Sequence, residues 1–233
     1  MKKILVINPV TDVSVHKTAN IYVQELAAGG DFAVDVVRLT AGPASIETYF
    51  DEAYAAPGVV DLVVKNRLRY DGVVVNCFAD PGVEASRELV DIPVVGPGEA
   101  SMILACTLGH KFAVVSTFRN SGPWAERQAR ALGIEGRLAS ATGVDIHVRD
   151  LNADPEATVR AITSKARAAV ENDGAEVIVL GCTGMAPVAG SIRQVLGVPV
   201  VEPTAAALGM LEAILDLGLR HSKAGAYNCP TRR

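Results

Sequence analysis

The chain has 233 residues, 49% of them apolar and 21% charged, with a formal charge of -4, enough for a folded protein with a real core. No basic excess is present to neutralise phosphates, so nucleic-acid binding is not expected. No apolar run approaches the ~18 residues of a membrane span, so no membrane partner is expected either.

In chain order, Lys2 and Lys3 precede the apolar run Ile4–Ile7, which stops at Asn8-Pro9. That is short of the roughly 7–15 apolar residues of a signal peptide, so it reads as a buried parallel strand. The reading places the protein in the cytoplasm, with reduced thiols. Further strands are predicted over Phe32–Leu39, Gly72–Asn76, Pro93–Val95, Lys111–Ser116, Val144–Val148, Glu176–Leu180 and Val198–Val201. Helices separate them. Asp154-Pro155-Glu156 is a start signal, an N-cap acid followed by proline at the first helical position. Val159, Ile162, Ala166, Ala169 and Val170 follow at helical spacing, and Gly174 supplies the stop. Thr204 is the expected cap of a last helix carrying Leu208, Leu211 and Leu215. Strands alternating with helices of this length imply βαβ units and parallel sheets.

The second half overlays the first. Tyr70-Asp71-Gly72-Val73-Val74-Val75-Asn76-Cys77 matches Gly174 to Cys182 with one slip, and Asp91-Ile92-Pro93-Val94-Val95 matches Gly197-Val198-Pro199-Val200-Val201. Cys77 and Cys182 are 105 positions apart, Pro93 and Pro199 are 106 apart. The expected fold is α/β: two pseudo-symmetric lobes, each a small four-stranded parallel sheet flanked by helices, with the active site in the cleft between them. Residues 1–100 with the helix and tail 206–233 would form the first lobe, and 101–205 the second.

Ligands in such sheets bind beyond the carboxyl ends of the strands. Both cysteines follow the third strand of their lobe and lead into Gly/Pro turns, where unpaired backbone N–H groups favour thiolate. Two thiols on one substrate make a two-base device: one takes a proton from a carbon acid and the other supplies one to the opposite face. A single nucleophilic cysteine would want a histidine partner, and His16, His110, His147 and His221 stand in no such signature. Cys106, within an apolar helical stretch, reads as a small buried side chain, and Cys229 as an exposed residue of the tail. The four cysteines lack CxxC pairing, so no metal site is expected. Gly96-Pro97-Gly98 lacks the third glycine of a dinucleotide fingerprint, which speaks against nucleotide binding. Glu99 is explained by the helix dipole, and Lys17 and Arg119 by a solvated face.

The chain resembles the Asp/Glu/hydantoin racemase superfamily, in particular its hydantoin and allantoin racemase branch, over nearly its whole length. The resemblance is carried by Ile7-Asn8-Pro9, Gly42-Pro43-Ala44-Ser45-Ile46-Glu47, Asn76-Cys77-Phe78-Ala79-Asp80-Pro81-Gly82 and Pro93 to Ala100. It continues through Leu180-Gly181-Cys182-Thr183-Gly184-Met185 and Ser222-Lys223-Ala224-Gly225-Ala226-Tyr227. It implies cofactor-independent racemisation of a small cyclic ureide, a 5-substituted hydantoin or allantoin, with Cys77 and Cys182 as the acid/base pair. It also implies that Asn8, Asn76, Thr117, Thr183 and backbone amides of Phe78, Ala79 and Gly184 hold the substrate oxygens. A homo-oligomer is expected by the same resemblance.

The chain departs from the amino-acid racemase branch in two places. Asn8-Pro9-Val10-Thr11 replaces an Asp-Ser pair, and Gly184 stands where histidine is expected after Thr183. Both favour a neutral ring over free aspartate or glutamate. Glu202 lies beside the position where the hydantoin branch often has an acid. The alternatives are another superfamily activity, namely an amino-acid racemase, a malonate decarboxylase or a cis–trans isomerase, and a non-catalytic ligand-binding module.

Overall fold

The structure is a computed structural model that describes residues 1–229. Its backbone forms two compact units, one made of Met1–Gly96 with the chain from Ala207 onward, the other of Pro97–Ala206.

In the first unit, β1 (Lys2–Asn8), β2 (Phe32–Arg38), β3 (Gly72–Val75) and β4 (Val94–Val95) form a sheet in the order β2-β1-β3-β4. All its pairings are parallel, with Asn8 opposite Arg38 and Ile7 opposite Val75. Ile4 to Ile7 and Val73 to Val75 are fully buried. These are unbroken apolar runs, as expected of strands covered on both faces. The helices are α1 (Val13–Ala27), α2 (Tyr49–Asn66) and α3 (Val83–Leu89). Asp12 caps α1 by accepting the Ser14 and Val15 amides, and Thr48 with Asp51 forms a capping box on α2.

The second unit repeats the plan. Its sheet holds β5 (Phe112–Ser116), β6 (Leu138–Gly143), β7 (Val177–Leu180) and β8 (Val200–Val201), in the order β6-β5-β7-β8 and again all parallel. Its helices are α4 (Pro97–Leu108), α5 (Ser121–Ala131), α6 (Pro155–Asp173) and α7 (Ala189–Leu196). Asp154 caps α6 through the Ala157 amide, Pro155 stands at its first position, and Gly174 ends it at φ 73°. Ile162, Ala166 and Ala169 are buried in the core with Leu180, Met185 and Ile192.

The last helix, α8 (Pro203–Asp216), begins in the second unit and runs into the first. Leu211 packs where Gly72 opens β3; a Cβ on Gly72 would stand 2.7 Å from its Cδ1. Each sheet is thus built to the expected pattern, and no helix of the described residues is long and apolar enough to cross a membrane.

Two local expectations are corrected. The strand expected over Val144–Val148 lies earlier, at Leu138–Gly143, and is followed by a short 3-10 turn at Val148–Asp150. β6 is an edge strand whose residues are half-buried up to Gly143, so it does not need the β-branched richness of a central strand. Val144 and Ile146 instead pack on the core from irregular chain. The cap of α8 is Glu202, not Thr204. The Glu202 carboxylate accepts from the Thr204 and Ala205 amides at 2.9 and 2.8 Å, and Pro203 takes the first helical position.

Candidate functional site

In the first unit the chemistry collects at the carboxyl end of β3. The Asn76 amide donates to the Ile7 carbonyl at 2.8 Å, which carries the sheet one residue beyond β3. Cys77 then turns away. Its N–H bonds the Val75 carbonyl at 2.7 Å, and its own carbonyl accepts from Asp80 at 3.0 Å. Phe78 and Ala79 in this turn are 6% and 7% exposed, and the Cys77 thiol is half-buried and not in a disulfide.

Asp80 adopts φ 54°, left-handed for a non-glycine residue, a conformation aspartate tolerates better than most. The turn can close this way because Gly96 has no side chain: a Cβ there would lie 2.3 Å from the Asp80 carboxyl carbon.

Beside this turn three side chains form a hydrogen-bonded run. Asn76 Nδ2 donates to Asn8 Oδ1 at 2.8 Å, and Asn8 Nδ2 lies 3.0 Å from His16 Nδ1. Both asparagines are buried, at 5% and 2% exposure. Burial, and after it the charge of Arg38, hold the His16 imidazole below its usual range. Neutral His16 is the form whose Nδ1 lone pair accepts from Asn8. The Gly42–Glu47 run lies over the same loop: Thr11 donates its N–H and its hydroxyl to the Pro43 carbonyl at 2.8 and 3.1 Å.

The second unit repeats the backbone but not the side chains. The Gly181 amide donates to the Val115 carbonyl at 2.8 Å, as Asn76 does to Ile7. Where the first unit has two carboxamides, the second has Ser116, whose Oγ donates to the Gly181 carbonyl at 2.9 Å. Glycine is required there, since a Cβ on residue 181 would stand 2.6 Å from the Ser116 Cβ.

Cys182 is the extended residue preceding a 3-10 turn over Thr183–Val188, and its Sγ accepts from the Gly184 amide at 3.4 Å. A Cβ on Gly184 would sit 3.0 Å from Leu151 Cδ1 and 3.4 Å from the thiol, a tight fit for any side chain at the position where histidine was the alternative. Thr117 is 4% exposed just after β5, and its carbonyl accepts from Ile146 at 3.2 Å. That loop is closed by Gly143, where a Cβ would fall 2.0 Å from the Phe118 carbonyl carbon.

Within the first unit the structure therefore joins Asn8 to Asn76, beside Cys77, Phe78 and Ala79. Within the second it joins Gly184 to Cys182 and places Thr117 next to Ser116. Sequence reasoning set His16 aside as a partner of a nucleophilic cysteine and did not single out Ser116 or Leu151 for the site. His16 carried one signal: it lies in the first turn of the helix that follows Asn8. Arg119 is exposed and paired with Asp145 at 2.9 Å. Cys106 is half-exposed rather than buried, and Cys229 is partly covered rather than fully exposed. Among the described residues no group of three or more His, Cys, Asp or Glu side chains is arranged to hold a metal ion.

The whole chain is similar to known proteins. The model of the family described as Asp/Glu/Hydantoin racemase matches residues 4–211. A hydantoin racemase of Pseudomonas sp. (strain NS671) is 37% identical over 232 residues, covering 99% of this chain and 93% of the relative. A hydantoin racemase of Paenarthrobacter aurescens is 35% identical, covering 99% and 98%. The solved allantoin racemase from Klebsiella pneumoniae superimposes with a TM-score of 0.93 at 34% identity, covering 100% of this chain and 95% of that one. The chain belongs to the Asp/Glu/hydantoin racemase family and is a racemase-type isomerase.

Proposed function

We propose that the protein racemises a small cyclic ureide, a 5-substituted hydantoin or allantoin, without a cofactor and with Cys77 and Cys182 as its acid/base pair. The observation that carries this is the equivalence of the two thiols. Each follows the third strand of a sheet with the same strand order, in a chain whose full-length relatives are hydantoin and allantoin racemases.

One cysteine, as thiolate, takes the proton from the ring carbon. The C–H bond breaks, an S–H bond forms, and the electron pair passes into the adjacent carbonyl as an enolate. The other cysteine, as thiol, returns a proton to the opposite face and is left as thiolate. No atom is gained or lost and nothing is oxidised. The reverse enantiomer uses the pair in the opposite sense.

The Gly184 N–H, aimed at the Cys182 sulfur, favours its charged form by hydrogen bonding. Asn8, Asn76, Thr117 and Thr183, with the amides of Phe78 and Ala79, are proposed to hold the ring oxygens and to stabilise the charge that develops there. A neutral ring suits these uncharged partners.

The test incubates one enantiomer of allantoin, and separately of a 5-substituted hydantoin, with the protein in deuterated water. Loss of optical rotation and deuterium entry at the ring carbon are followed together. Cys77→Ser and Cys182→Ser should each lower racemisation by a factor on the order of 10²–10⁴, the usual worth of a general acid or base, while each retains exchange on one enantiomer. Normal racemisation by both variants would overturn the two-thiol reading, and no turnover by the intact protein would overturn the substrate class.

A further inference from the structure

The run from His16 through Asn8 to Asn76 has a direction. Asn8 turns its oxygen to Asn76 Nδ2 and therefore its Nδ2 to His16. A carboxamide amine can only donate, so His16 Nδ1 must accept, and an imidazolium has no lone pair with which to do so. Protonated His16 would set N–H against N–H. Relief requires Asn8 to turn over, which in turn puts its amine against the amine of Asn76. The Asn8–Asn76 contact is buried, so the mismatch between their two amines is not absorbed by water.

We propose that His16 is a positioning residue: its unprotonated Nδ1 fixes the orientation of Asn8 and, through Asn8, that of the Asn76 carboxamide adjoining Cys77, so that protonation of His16 reverses the run and lowers turnover. The inference rests on the racemase reading for its effect on rate, and on the hydrogen bonds alone for the coupling of the three side chains.

The groups around His16 agree with the neutral form. From β2, Arg38 contributes a positive charge that opposes a second one, and its guanidinium is anchored on the Thr11 and Leu39 carbonyls at 3.1 and 3.0 Å. From β1 the facing group is the uncharged Asn8. On the preceding turn, Asp12 directs its carboxylate to the Ser14 and Val15 amides and the Ser14 hydroxyl. Lys17, next in α1, is exposed. At the matching position of the second unit stands Ser116, which donates to a backbone carbonyl. The proposed control therefore acts on the Cys77 side.

Two variants and one spectrum test it. His16→Asn places an oxygen near the position of Nδ1 that accepts from Asn8 but does not titrate. His16→Leu removes the acceptor. With allantoin as substrate, the intact protein should lose kcat on acidification, along a limb centred below the ordinary histidine value of 6.5. His16→Asn should keep kcat within about threefold at pH 8 and lack that acid limb. His16→Leu should show kcat lowered by about 3- to 10-fold, the worth of one hydrogen bond, with KM little changed.

In the ligand-free protein, the side-chain amide NMR signals of Asn8 and Asn76 should move along the His16 titration curve, and in His16→Asn they should not. Asn8 and Asn76 signals indifferent to His16 protonation would overturn the coupling, whether or not a substrate is turned over. An unchanged acid limb in His16→Asn would overturn the effect on rate. An intact protein inactive on both ureides would instead remove the proposed substrate class and leave the amide titration to decide the coupling.

Discussion

Asn76 donates its side-chain amide to the Asn8 oxygen at 2.8 Å, tying the residue before Cys77 to the last residue of β1. Replacing Asn8 by leucine leaves the buried Asn76 amine without this acceptor and His16 without its donor. The expected loss of stability is about 1–3 kcal/mol, the usual penalty for stranding a buried polar group. Urea unfolding at pH 7 measures it. A variant as stable as the parent would show that the pair contributes nothing to the fold.

Stability should also depend on His16 through pH. Burial and Arg38 lower its proton affinity in the folded protein relative to the ordinary value of 6.5. In acid the unfolded chain therefore binds the proton first, and stability falls as the pH drops below 6.5. Above that pH the contribution is complete. Unfolding midpoints measured from pH 7.5 to 5 should decline less steeply in His16→Asn than in the parent protein. Identical slopes would place the acid sensitivity elsewhere.

Glu202 is 1% exposed, with its two oxygens on consecutive amides of α8. Glu202→Ala should lower stability by about 1–2 kcal/mol, the range for loss of a helix cap, with Glu202→Gln less affected because one acceptor oxygen remains. Urea midpoints check the order. A fall in kcat/KM with no fall in stability would make Glu202 a substrate contact instead.

Much of this was legible in the sequence because it depends on short-range signals repeated twice. Asp154-Pro155 and Gly174 bound α6 by cap chemistry alone, and the spacing of Cys77 and Cys182 exposed the duplication before any coordinates. What was not legible depends on pairing partners distant in the chain. Leu138–Gly143 contains a single β-branched residue, Thr142, and becomes a strand because β5 lies beside it, with a register shift at Phe112/Ala113. The run Val144–Val148 alternates like a strand but has passed the sheet. Thr204 is a cap residue by type, yet the helix begins one residue earlier at Pro203, and Glu202 takes the Thr204 and Ala205 amides. His16 could not be assigned until α1 was seen to lay its first turn against Asn8.

The division of the chain fixes when all residues of each unit are present during synthesis. Pro97–Ala206 is one uninterrupted stretch and is complete once Ala206 has left the ribosome. The earlier unit must wait for Ala207 onward, because Leu211 closes over Gly72 at the start of β3. The portion translated second is thus the first able to finish, and the Cys77 turn, though made early, belongs to the unit sealed last. Shortening the chain before Leu211 would leave the nascent first sheet uncovered at β3, an invitation to aggregation rather than a smaller enzyme.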